Sequence, residues 1–153
     1  MNATNQKKNQ KNNNNNEKKK KSLFQLIQDM TVSEKIKLAM KGDKEARTIL
    51  MQDGNRMVQL AVLENPRITE SEVVNICRSR NVDDEVLRRI ANSREWSKLY
   101  QVRFSLVTNP KTPVAVSMRF ISTLMANDLK SLAKSKSVPT AVATAARRAI
   151  ARK

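Results

Sequence analysis

This sequence predicts an all-α fold: a right-handed α-solenoid of short helical hairpins, preceded by a disordered basic tail. Three observations point there. Residues 58–69, VQLAVLENPRIT, recur at 102–113 as VRFSLVTNPKTP. Val58 aligns with Val102, Leu60 with Phe104, Val62 with Leu106, Leu63 with Val107, and Asn65-Pro66 with Asn109-Pro110. An offset of 44 residues falls in the range of stacked helical hairpins rather than one closed globule. Apolar residues follow helical spacing throughout, with no period-two alternation. Only two glycines, Gly42 and Gly54, occur in 153 residues, which argues against tight β-hairpins and glycine-rich phosphate loops.

Composition divides the chain in two. Residues 1–21, MNATNQKKNQKNNNNNEKKKK, hold eight Asn, seven Lys and one aliphatic side chain larger than Ala, Met1. They cannot bury enough apolar surface to offset the entropy of ordering, so they are expected to be a disordered tail. Residues 22–153 are rich in Leu, Ile, Val, Ala and Met, enough for one helical domain with an aliphatic core.

The helix boundaries are written in caps. Thr31-Val32-Ser33-Glu34 spells a capping box, in which the Thr hydroxyl satisfies an exposed amide and Glu34 reaches back. Its helix should run to Gly42, expected as a left-handed stop. Asp43 caps a segment with Ala46, Ile49 and Leu50 on one face, ended by Gly54. A mostly buried helix through Val58–Leu63 stops before Pro66, because the residue preceding proline disfavours helix. Thr69-Glu70-Ser71-Glu72 is a second capping box, opening a helix with Val73, Val74, Ile76 and Cys77 inward.

Asp83 caps the next helix, with Val86, Leu87, Ile90 and Ala91 on one side. Ser97–Thr108 repeats the Val58 helix. Thr112 is expected as an N-cap with Pro113 at the first helical position, and Met118, Phe120, Ile121, Leu124 and Met125 ride the helix that follows. Asn127 caps a short helix bearing Leu129, Leu132 and Ala133, and Pro139 starts the last, TAVATAARRAIARK. About nine helices of roughly 8–14 residues result, each needing neighbours to bury its apolar stripe.

VRFSLVTNPKTPVAV, followed by LAKSKSVPTAV, resembles the leucine-rich-repeat-variant pattern, in which a valine-arginine helix ends at Asn-Pro and a Thr-Pro restarts the chain. It is also similar to HEAT-like repeats. The resemblance covers roughly Val58 to Val142 and implies an α-helical repeat fold. It also implies iron–sulfur or nucleic-acid association, of which the first needs a cysteine cluster that this chain lacks.

Catalysis finds little support. The chain has no histidine, the usual acid–base agent at neutral pH. Its one cysteine, Cys77, sits at a core position without an imidazole to activate it and reads as a small buried hydrophobe. Neither a metal site nor a cofactor is implied. Asp83, Asp84 and Glu85 suit a helix start, and so does Asp128, although some HEAT-like proteins are DNA glycosylases that use an acid in a basic groove. Trp96 and Tyr100, four residues apart, would share a face if that turn is helical. Beside Arg94, Lys98 and Arg103 they could stack nucleobases, but a large-residue plug between repeats is the favoured reading. Asn65 and Asn109 could contact a ligand, although an Asn before Pro more often closes the preceding helix.

Charge is the informative surface property. Residues 1–21 carry net +6, residues 22–97 balance twelve Lys/Arg against twelve Asp/Glu, and residues 98–153 carry eleven Lys/Arg against Asp128 alone. A solvated face would intersperse acids, and eleven cations beside one acid repel one another unless a polyanion relieves them. The sequence therefore predicts a non-catalytic binding protein that contacts the phosphate backbone of RNA or DNA, in a ribonucleoprotein such as the ribosome, without sequence preference. The residues are Arg103, Lys111, Arg119, Lys130, Lys134, Lys136, Arg147, Arg148 and Arg152, expected to form one continuous stripe, with Lys18, Lys19, Lys20 and Lys21 in the tail. The alternative is a scaffold that holds an acidic protein partner in the solenoid groove. Docking of the tail to an anionic membrane surface is weaker, because the last helix has alanines where an inserting face wants Leu, Phe or Trp. No apolar run approaches the roughly 20 residues that span a bilayer. With no secretory signal expected, a single cysteine suits a reducing cytoplasm.

Overall fold

The computed structural model of this chain describes residues 21–153. Most of the expected tail, with Lys18, Lys19 and Lys20, lies outside the described residues. Among the described residues all regular structure is helical. In order these are α1 (Leu23–Gln28), α2 (Val32–Lys41), α3 (Lys44–Met51), α4 (Arg56–Leu63), α5 (Glu70–Arg78) and α6 (Asp84–Asn92). After them come α7 (Arg94–Ser97), α8 (Tyr100–Thr108), α9 (Val114–Phe120), a 3-10 turn (Ile121–Thr123), α10 (Ala126–Lys134) and α11 (Thr140–Arg152). No helix among them is long and apolar enough to cross a membrane.

Four N-termini use the expected side-chain caps, Thr31, Asp43, Thr69 and Asp83. Thr69 Oγ1 accepts the Glu72 amide at 3.3 Å while the Glu72 carboxylate accepts the Thr69 amide at 2.8 Å, a complete capping box. Thr31 Oγ1 accepts the Glu34 amide at 3.2 Å, but Glu34 answers through the Thr31 hydroxyl instead of its backbone. Asp43 and Asp83 accept the amides of Ala46 and Glu85, at 3.0 and 2.9 Å.

Helix α2 packs along α4, α4 also touches α3 and α6, α5 packs on α8, α8 on α9, and α10 along α11. One aliphatic core threads these contacts from Ile27 to Ala146. The repeat seen in sequence is a repeat in burial. Val58 and Val102, Ala61 and Ser105, Val62 and Leu106, Leu63 and Val107, and Asn65 and Asn109 are all buried. Burying each of the aliphatic side chains contributes about 2 kcal/mol.

The two asparagines explain why the motif recurs. Asn65 Nδ2 donates to the carbonyls of Ala39 and Gly42, at 2.9 and 3.0 Å, where α2 ends. Asn109 Nδ2 donates to those of Cys77 and Ser79, both at 2.8 Å, where α5 ends. Carbonyls at a helix C-terminus have no partner within the helix, so each asparagine satisfies those of an earlier helix. Its Oδ1 meanwhile accepts the amide two residues on, Arg67 or Lys111, at 2.9 Å in both copies. The next positions before them also correspond. Gln59 Nε2 donates to the Asp53 carbonyl at 2.7 Å, and Arg103 Nη1 to the Ser97 carbonyl at 3.1 Å, six residues upstream in each case.

Several expectations are corrected. Gly42 is not a left-handed stop: its φ and ψ are −68° and 164°. Glycine is needed there because a Cβ would lie 2.7 Å from the Leu38 carbonyl oxygen and 2.8 Å from the Ala46 Cβ. The helix expected over Ser97–Thr108 begins at Tyr100, since Leu99 is extended and separates α7 from α8. Trp96 and Tyr100 therefore sit on different helices. Pro113 and Pro139 are N-cap residues, one position earlier in the helix than expected: their carbonyls accept the first intrahelical bonds, from Val116 and Val142 at 2.9 Å.

Met118–Met125 is not one helix. Thr123 Oγ1 bonds the Phe120 carbonyl at 2.6 Å within the 3-10 turn and Leu124 is extended, which buries Phe120, Ile121 and Leu124 and leaves Met118 and Met125 exposed. Asn127 caps nothing. Helix α10 starts two residues earlier than that cap implies, at Ala126, and the Tyr100 hydroxyl accepts the Met125 amide at 3.1 Å. The short elements α1 and α7 and these breaks raise the number of α-helices to eleven among the described residues, of 4–13 residues each.

Candidate nucleic-acid interface

Ion pairing separates the two halves of the described chain. The five salt bridges among the described residues, Lys21–Asp29, Lys35–Asp53, Arg47–Glu72, Arg88–Glu85 and Arg89–Glu64, lie before residue 90. None of the eleven cations from Lys98 onward forms one among the described residues. The single acid of that region, Asp128, accepts a hydrogen bond from the Tyr100 hydroxyl and is held against α8. Burial first, and then that bond, raise the Tyr100 hydroxyl above its ordinary range, so it stays a donor at neutral pH.

The eleven cations differ in what they touch. Arg103 is half-buried: its guanidinium donates to the carbonyls of Ser97 and Lys98, at 3.1 and 2.8 Å, and lies 5.6 Å from the centre of the Tyr100 ring. It is engaged in closing its own loop. Arg119, which is exposed, donates to the Asn92 side chain at 2.9 Å and covers the Phe120 ring, 5.3 Å from its centre. Lys111 is exposed on the turn after Asn109.

Lys98 is exposed at the end of α7, and the remaining seven fall into two groups. Lys130 and Lys134 lie four residues apart on the exposed face of α10, and Lys136 follows in the turn. Arg147 joins them, because its Nη2 donates to the Ala133 carbonyl at 3.1 Å, at the end of α10. The second group is Arg148, Arg152 and Lys153, which line a groove beside Met118 and Ser122 on the α9 side of α11. The cations expected to form one stripe thus meet two different neighbours, α10 and the α9 side of α11. Consecutive helical residues point about 100° apart, so Arg147 and Arg148 part to opposite neighbours. Lys21, the one described lysine of the tail, is exposed and pairs loosely with Asp29 at 3.4 Å.

Tyr100 fits the plug reading rather than a base-stacking platform. Its ring stacks on Phe104 with centroids 6.4 Å apart, and its hydroxyl bridges to α10. Cys77 is buried, and burial pushes its thiol up to about 12, the environment of a small apolar side chain.

The α9–α11 groove is the feature sequence reasoning missed. Its signal lay in Ala145, Arg148, Ala149 and Arg152, spaced i, i+3, i+4 and i+7 along one face of α11. Comparison with protein-family models, with curated proteins and with solved structures finds no match to this chain.

Proposed function

We propose that this chain is a non-catalytic helical-repeat protein that contacts the phosphate backbone of RNA or DNA through its basic C-terminal third, and that its helices stack as a right-handed α-solenoid of the HEAT-like kind. What supports the stacking is the pair of asparagines that tie each copy of the repeat to the helix end before it. One observation carries the binding reading: among the described residues no cation from Lys98 onward pairs with a carboxylate, whereas Lys21, Lys35, Arg47, Arg88 and Arg89 each do. Such a surface raises the energy of the folded state by self-repulsion, which a polyanion removes. Lys130, Lys134, Lys136 and Arg147, grouped at one helix end, are its strongest part. Few side chains there suit base reading, so binding is to backbone and insensitive to sequence.

The test is fluorescence anisotropy of labelled RNA and DNA oligonucleotides of several sequences, with the full chain and with a Lys130→Gln, Lys134→Gln, Lys136→Gln variant. The variant should bind every sequence more weakly by a similar factor. Absence of binding to either nucleic acid at low salt, or equal binding by the variant, overturns the proposal.

A further inference from the structure

The groove between α9 and α11 has a composition unlike the rest of the basic surface. Its floor is apolar: Met118, which is 44% exposed, and Ile121 from one side, Ala145 and Ala149 from the other. Its rim is cationic, built from Arg148, Arg152 and Lys153, and no acid lines it. It holds about 340 Å³, with Ala145 and Ala149 of α11 in its lining. Arg148 and Arg152 are one helical turn apart on the same face as the two alanines, so charge and apolar surface run parallel along α11.

We infer that this groove docks an acidic amphipathic helix of a partner protein. Leucine-like side chains at i, i+3, i+4 and i+7 of the partner would lie on the Met118–Ala149 floor, and flanking carboxylates would meet Arg148 and Arg152. A methionine at the floor suits this occupant, because an unbranched thioether repacks around different apolar side chains. Two other occupants fit less well. Nucleobases bind single-stranded sites by stacking on aromatic rings, and none lines the groove. A second copy of this chain brings its own net charge of +16, which opposes self-association at a cationic rim. The inference does not rest on the nucleic-acid reading, since the floor plays no part in contacting phosphate.

The experiment uses the full chain and a fluorescein-labelled peptide of about 18 residues, five helical turns. The peptide carries leucines at i, i+3, i+4 and i+7, with glutamates flanking them on an alanine–glutamine background. A shuffled peptide of equal composition, without the apolar stripe, is the control. The patterned peptide should bind at least about tenfold more tightly than the shuffled one, a difference of about 1.4 kcal/mol. Met118→Gln should remove most of that preference yet leave oligonucleotide binding unchanged, and Arg148→Gln with Arg152→Gln should weaken the patterned peptide about tenfold. Helicity and thermal melting of each variant establish that it folds, and methyl resonances of Ile121 and Ala149 should shift on titration of the wild type. Equal binding of the two peptides, no effect of Met118→Gln on peptide binding, or loss of oligonucleotide binding in Met118→Gln would each overturn the inference. The last would give the groove to nucleic acid, whereas failure of the Lys130, Lys134 and Lys136 experiment leaves the peptide result standing.

Discussion

Asn65 and Asn109, 44 positions apart, make the same three hydrogen bonds: two from Nδ2 to carbonyls at the end of an earlier helix, and one from the amide two residues on into Oδ1. Each side chain therefore ties its own turn to the C-terminus of a helix more than 20 residues upstream.

Replacing either asparagine by alanine should remove three hydrogen bonds, although at position 65 the Gly42 carbonyl keeps its bond from Arg47. With about 1 kcal/mol per buried hydrogen bond, the expected loss is about 3 kcal/mol per site. Asn→Asp should be no better, because a carboxylate offers the two carbonyls no donor. Urea unfolding of the four single variants checks this, and a loss below about 1 kcal/mol at both sites would contradict the clamp.

The two glycines should respond in opposite ways to alanine. At Gly42 the new Cβ meets backbone and an Ala46 methyl that cannot move aside cheaply, so Gly42→Ala should destabilise. At Gly54 nothing lies within 4 Å and φ is not positive, so Gly54→Ala should be neutral or stabilise by up to about 1 kcal/mol through the unfolded chain. Thermal melts of both variants decide it.

Arg47 is 5% exposed and forms a two-pronged pair with Glu72, at 2.8 and 3.2 Å, while a third nitrogen donates to the Gly42 carbonyl at 2.9 Å. Burial alone would raise the Glu72 carboxyl, but hydrogen bonds from Arg47 and Thr69 outweigh it and hold it below its ordinary value of 4.5. The unfolded chain therefore binds the Glu72 proton more readily. The stabilisation is complete above that ordinary value and is lost as pH falls below it, through the lower folded value. Asp53, held below 3.8 by Lys35 and the Asn55 amide against its own burial, adds a loss of the same sign. Glu72→Gln should cost about 3–5 kcal/mol at neutral pH, since it strands a buried guanidinium. The same substitution should flatten the acid limb of the stability profile; an unchanged acid limb would refute the assignment.

Tyr100 and Asp128 couple α8 to α10. Tyr100→Phe and Asp128→Asn should each cost about 1–2 kcal/mol. The double variant should cost clearly less than the sum, because the two act on one contact. Additive losses would show that the pair is not a unit.

Elements with local causes were legible in sequence. The Thr69–Glu72 capping box, the Asp83 cap and the stop before Pro66 all follow from residues within four positions of one another. The breaks at Leu99 and Leu124 were not legible, because neither glycine nor proline marks them; Arg103 bonds the carbonyls of Ser97 and Lys98 at the first, and the Thr123 hydroxyl and the Tyr100 hydroxyl bond the Phe120 carbonyl and the Met125 amide around the second. The candidate site divides the same way. The excess of cations is a property of composition and was plain. That Arg103 turns to its own loop, that Arg147 and Arg148 part company, and that Met118 floors a groove depend on which neighbour each helix face meets.

The salt dependence of nucleic-acid binding tests the central claim most directly. On duplex DNA the logarithm of the association constant should fall linearly with that of salt concentration, with a slope near −0.9 for every phosphate neutralised. Gln at Lys130, Lys134 and Lys136 should make that slope shallower by about 0.9 for each phosphate no longer neutralised. A binding constant indifferent to salt, or a slope that the three substitutions leave unchanged, would contradict the account.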